Sequence, residues 1–201
     1  MQQVIDYAST ITSLVVFSGS NFDVACINKF TELERLNYYN GYNILLEDMS
    51  KIKSVVIGYD DSHGKKSGCK IILRRLPMLV DFEIVYVTDT LKMINDYGLS
   101  GGGSDFDEHY QNLFLADSLI LKNLPMIKSL KKIQLGFNRI RISNMPALVK
   151  FYHFLTVHSI KITGTPILTD LWTGYDDNYN ELDNVDEWQT IYDMVEENKA
   201  R

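Results

Sequence analysis

The stretch Leu130–Asn138, LKKIQLGFN, spaces its apolar residues unevenly: Leu130, two residues, Ile133, one residue, Leu135, then a closing asparagine. Apolar residues separated by one position suit a strand, whose successive side chains point to opposite faces. The same spacing recurs along the chain. It reads Ile11-x-x-Leu14-x-Val16, Leu33-x-x-Leu36-x-Tyr38, Ile52-x-x-Val55-x-Ile57, Phe82-x-x-Val85-x-Val87 and, after the central copy, Val157-x-x-Ile160-x-Ile162. Successive copies start about 22, 19, 30, 48 and 27 residues apart, against the ~20–29 residues of one stacked unit. The longest gap is close to two units.

A second element marks the register. Leu76-Pro77-Met78-Leu79, Leu124-Pro125-Met126-Ile127 and Met145-Pro146-Ala147-Leu148 are alike, and each precedes a strand-like triplet. Proline fits the first turn of a helix, where its missing N–H costs nothing. The expected unit is a helix beginning near proline, a turn and a short strand. Asn21 to Phe30, Lys70 to Leu76 and Asp107 to Leu115 are the further helix candidates. One such unit cannot bury its apolar face alone, so neighbours must stack. The strands would form a parallel sheet on a concave face, with the helices on the convex face.

The triplets, the proline-marked starts and the Leu130–Asn138 copy resemble leucine-rich repeats over about residues 11–165. That resemblance implies an α/β leucine-rich-repeat solenoid. The irregular lengths are similar to the divergent repeats of fungal F-box proteins, whose repeats present substrates to a ubiquitin ligase. The ninth position is asparagine at Asn138 and Gly19, Gly41, Asp60, Thr90 and Thr165 in the other copies. No F-box is visible, so the adaptor-binding half would stand upstream.

Domain organisation follows. Residues 1–165 form the irregular repeats, and residues 166–201 an acidic C-terminal cap in which Val185, Trp188, Ile191, Tyr192 and Val195 share one helical face. The first triplet begins with little before it to cap a solenoid. The chain is therefore expected to be a C-terminal piece of a larger protein, or to dock an N-terminal domain or subunit over its first repeat. Residues 98–105 interrupt the pattern; Ser100-Gly101-Gly102-Gly103-Ser104 has linker composition and reads as a replacement for a longer loop.

Composition narrows the function. The 201 residues are 45% hydrophobic and carry a net charge of −6. This argues against a general nucleic-acid binder, which needs a basic face. No segment approaches the ~20 apolar residues of a membrane span. Met1–Thr10 lacks the features of a signal peptide. Cys26 and Cys69 make neither a disulfide framework nor a zinc site. Nucleus or cytoplasm is the expected location.

Candidate chemistry resolves into surface features. The glycine run continues into Asp105-Phe106-Asp107-Glu108, which would repel phosphate, and lacks the Gly-Lys-Ser/Thr ending of a phosphate loop. Asp105, Asp107 and His109 have no further His or Cys ligands to complete a metal site. His63, His109, His153 and His158 stand without a paired nucleophile. Asp176, Asp177, Glu181, Asp183, Asp186 and Glu187 lack calcium-loop spacing. The basic clusters at Lys65-Lys66, Lys70, Arg74-Arg75 and Lys128 to Arg141 read as solvated faces.

The reading is of a binding module without cofactor or metal, and not an enzyme. Its protein partner is expected on the concave face, at Phe17, Asn37, Tyr39, Tyr59, Tyr86, Gln134 and Lys161, where exposed aromatics would make a hot spot. The alternative is a structural subunit of a larger nuclear or cytosolic complex, with or without associated nucleic acid.

Overall fold

The computed structural model describes residues 9–17, 24–39, 43–59, 69–86, 115–153 and 157–173. Twelve strands occupy them: β1 Ser13–Phe17, β2 Arg35–Tyr39, β3 Asn43–Glu47, β4 Ser54–Tyr59, β5 Lys70–Arg74, β6 Asp81–Tyr86, β7 Leu115–Lys122, β8 Ser129–Leu130, β9 Gly136–Ser143, β10 Lys150–His153, β11 Val157–Thr163 and β12 Asp170–Thr173. All pairings between them are parallel. The sheets run β1-β2-β4-β6, β8-β10-β12 and β3-β5-β7-β9-β11. From β2 onward the chain therefore alternates between two faces, each return laying a strand beside the one before. Inward side chains from all three sheets merge in one core that includes Leu36, Ile57, Leu73, Leu119, Ile140 and Phe151.

The parallel sheet is as expected, but the helical face is not. Where the helices should lie stands a second parallel sheet of five strands. Lys70 to Leu76, expected as helix, contains β5; its alternating burial, with Ile71 and Leu73 inward, is strand periodicity. Of Asn21 to Phe30, Val24–Lys29 is a short 3-10 helix, and it is the only helix among the described residues. The Asp107–Leu115 helix up to residue 114, the linker at 98–105 and the C-terminal cap helix lie outside the described residues.

Proline explains the correction. In Leu76-Pro77-Met78-Leu79 the Leu79 amide donates to the Leu76 carbonyl at 3.2 Å. Met145–Leu148 and Thr165–Leu168 close in the same way, each at 3.1 Å. Proline's fixed φ suits the second position of such a β-turn as well as it suits a helix start. All four prolines of the chain stand at this corner, including Pro166, whose motif Thr165-Pro166-Ile167-Leu168 is a fourth copy.

Before each corner the backbone passes through the left-handed region, at Asp48, Arg75, Asn123, Asn144 and Gly164. Asn, Asp and Gly tolerate that conformation best. Arg75 is held there by two hydrogen bonds to the Asp48 carboxylate, at 2.6 and 2.8 Å. The column is tied between coils, since the amides of Arg75, Asn123 and Asn144 each donate at 3.0 Å to a carbonyl one coil onward.

The uneven apolar spacing also has a physical source. Where two residues separate apolar positions, the strand is entered by a bend, and one carbonyl of the neighbouring coil accepts two consecutive amides. Lys53 and Ser54 both donate to Glu34, and Val149 and Lys150 both donate to Lys128. On the five-stranded sheet Asp117 and Ser118 both donate to Cys69. The spacing thus arises on both faces of the coil. Val157-x-x-Ile160-x-Ile162 belongs to β11 of the five-stranded sheet, not to the expected concave strands. The fourth copy shifts as well: the inward set is Leu79, Phe82 and Ile84, and Val85 points outward.

Between β6 and β8 the ladder breaks. Ile84 is bridged to Ile133, with its amide on the Lys132 carbonyl at 2.7 Å and its carbonyl accepting from Gln134 at 2.8 Å. An unbroken register would pair Ile84 with Lys132. The one-residue offset ends the four-stranded sheet, while the five-stranded sheet continues without interruption.

Candidate interaction surface

The solvent side of the four-stranded sheet is built from three cross-strand rows. In register these are Ser13–Arg35–Ser54–Asp81, Val15–Asn37–Val56–Glu83 and Phe17–Tyr39–Gly58–Val85. Phe17 stacks on Tyr39 with ring centroids 5.2 Å apart. Across Gly58, which offers no side chain to separate them, Tyr39 packs on Val85. Phe17 remains 48% exposed and Val15 42%, whereas Tyr39 beneath is only 6% exposed. The ridge is thus an aromatic and aliphatic surface whose outermost members meet water. Glu83, at one margin, is bonded to Lys132 at 2.5 Å, which raises the Lys132 pKa chiefly through that hydrogen bond.

The seven residues expected at the partner surface separate into groups. Phe17, Asn37 and Tyr39 come together on this face. Tyr59 follows the inward parity of Val55 and Ile57; it is 3% exposed, with its hydroxyl 3.5 Å from the Cys69 thiol. Its place in the aromatic band is corrected accordingly. Tyr86 is the last residue of β6, opposite Tyr59 in register, and its side chain lies outside the described set. Gln134 is exposed but sits between β8 and β9, at the break in the ladder. Lys161 is on β11, in the five-stranded sheet, and leaves the concave column altogether. Glu83 and Val85 were not anticipated as outward members; reading Leu79-x-x-Phe82-x-Ile84 as the inward triplet identifies them.

Several other polar groups are engaged by neighbouring groups of the fold. Glu47 and Asp48 are held below the usual carboxylate range, chiefly by hydrogen bonds from Arg74 and Arg75 respectively. Asp170 is lowered, first by its hydrogen bond from Tyr152, whose own pKa is raised by that bond. Burial pushes the Cys69 thiol up to about 11, partly opposed by the Tyr59 hydroxyl. His153 is fully buried between Phe137 and Phe151, with Nε2 3.0 Å from the Leu135 carbonyl. Among the described residues no three His, Cys, Asp or Glu side chains are grouped to hold a metal ion. None of their helices is long and apolar enough to cross a membrane. Comparison with protein-family models, curated proteins and solved structures found no match.

Proposed function

We propose that the chain is a protein-interaction module that holds a partner against the outward side of the four-stranded sheet. The observation carrying this reading is the Phe17–Tyr39–Val85 ridge, with Phe17 and Val15 about half exposed on an ordered sheet. Large apolar side chains left in water on a rigid surface are the usual anchors of binding hot spots. The repeated inward triplets support kinship with leucine-rich repeats, with a second parallel sheet standing where helices were expected. On that reading the chain is the partner-binding repeat region of a larger adaptor, such as an F-box-type ubiquitin ligase subunit, acting in nucleus or cytoplasm.

The test is affinity purification with mass spectrometry, comparing the intact protein with a Val15→Ser/Phe17→Ser variant. Both side chains are exposed, so the variant keeps its fold. Tyr39→Ala would be a poorer probe, because that ring is buried. A ubiquitin-ligase adaptor co-purifying with both forms, together with a second protein lost only from the variant, supports the reading. An identical set of proteins on both forms refutes the proposed surface.

A further inference from the structure

The five-stranded sheet carries a second surface on the opposite side of the core. Its outward residues Leu45, Ile72, Ile120, Arg141 and Lys161 stand in one register row across β3, β5, β7, β9 and β11. Three half-buried aliphatic side chains are followed by two exposed cations. Arg141 and Lys161 are direct cross-strand partners. Like charges so placed destabilise a sheet. Lys122, exposed at the end of β7, adds a third cation nearby. None of these three has an ion pair among the described residues. The other cations of this face do: Arg74 and Arg75 with Glu47, Arg75 with Asp48, and Lys70 and Arg139 with Asp117.

We propose that this row binds an acidic, amphipathic segment of a partner protein. Its apolar side chains lie over Ile72 and Ile120, and its carboxylates reach Arg141, Lys161 and Lys122. An anion placed between Arg141 and Lys161 removes their repulsion and gains two charge-assisted hydrogen bonds. Five strands ~4.8 Å apart make a row ~19 Å long. That length matches about 13 residues of helix lying across the strands. A nucleic acid fits less well. The row holds no aromatic ring on which a base could stack, and its aliphatic half has nothing to offer phosphates. This surface is distinct from the Phe17 ridge and does not depend on it.

The experiment is fluorescence anisotropy with a labelled 14-residue peptide, glutamate-rich in one half and leucine-rich in the other. The intact chain should bind it, more weakly as salt rises. Arg141→Glu places opposite charges across β9 and β11, so it should raise the melting temperature while weakening the peptide by about tenfold or more. A simple loss of fold would move both readouts downward. Phe17→Ser should leave peptide binding unchanged. Absence of binding to the intact chain, equal binding by Arg141→Glu and Lys161→Glu, or preference for a single-stranded oligonucleotide of equal charge would each overturn the proposal.

Discussion

Replacing Gly164 by alanine tests the corner on which the whole winding depends. Gly164 has φ +66°. For an L-residue that region costs about 1–2 kcal/mol. A Cβ there would also lie 2.7 Å from Asn144 Oδ1 and 3.0 Å from the Asn144 backbone nitrogen. The Asn144 side chain has limited freedom to retreat, because its Nδ2 donates to Asn123 Oδ1 at 2.9 Å. Crowding of this kind adds about 1–3 kcal/mol. Gly164→Ala should therefore destabilise by about 2–5 kcal/mol in equilibrium urea unfolding monitored by far-UV circular dichroism.

A double-mutant cycle separates the two contributions. In an Asn144→Gly background the Oδ1 contact is gone and the backbone term stays, so the penalty should fall by about 1 kcal/mol or more. Asn123→Gly alone should cost about 1 kcal/mol, because it removes the hydrogen bond from Asn144 Nδ2 while glycine adopts the backbone conformation freely. If Gly164→Ala unfolds with an unchanged midpoint, the left-handed corner is wrong and with it the stacking of β11 and β12 on the coils before. If the penalty is equal in both backgrounds, the crowding against Asn144 Oδ1 is wrong.

Other expectations concern the core, acid, alkali and thiol chemistry. Leu36→Ala, inward on β2 and fully buried, should cost about 2–5 kcal/mol by the same unfolding assay, while Val15→Ser should cost under about 1 kcal/mol. Glu47 and Asp48 have folded pKa values depressed below their ordinary 4.5 and 3.8. The stability they contribute is complete above those values and is lost as pH falls through the depressed ones; Arg75→Ala should flatten this acid limb in a pH series of melting temperatures. Cys69 is shifted the other way, from 9.0 to about 11. Its contribution is complete below pH 9.0 and disappears as pH rises through about 11. A thiol reagent at neutral pH should accordingly label half-buried Cys26 well before Cys69, and Cys69 labelling as fast as Cys26 would contradict its burial.

Parallel strands and their inward residues were legible in the sequence where the triplets stand alone. Leu36 and Tyr38, or Val55 and Ile57, point inward as the spacing demands. Two ambiguities hid the rest. Apolar-x-x-apolar-x-apolar is the signature of a strand entered by a bend, and this chain bends into strands on both of its faces. The spacing alone could not assign Val157–Ile162 to the second sheet, and Lys161 went with it. Proline in X-Pro-x-Leu satisfies a β-turn and a helix start by the same fixed φ, and nothing local distinguishes them. The alternation of Lys70–Arg74, with Ile71 and Leu73 inward and Ile72 outward, is the signal that favoured strand. At the candidate surface, Phe17, Asn37 and Tyr39 were found because their register is unbroken from β1 to β2, whereas the three-residue slip in the fourth copy concealed Glu83 and Val85.

The two edges of the coil divide the work of folding from that of recognition. At one edge, every passage from the five-stranded sheet to its neighbours uses the same short device: a left-handed residue, a buried residue and a tight turn. Its amides and carbonyls are committed between coils, which leaves little room for insertion. At the other edge, the connections vary widely, from the three residues between β2 and β3 to the long excursion between β6 and β7. The excursion leaves just where the four-stranded sheet ends, and the five-stranded sheet passes it undisturbed. Extra chain is thus accommodated by breaking one ladder and keeping the other. The Phe17–Tyr39–Val85 row lies at the strand ends facing this variable edge. An apolar surface next to connections that can change length without unwinding the coil is where partner specificity is most readily built.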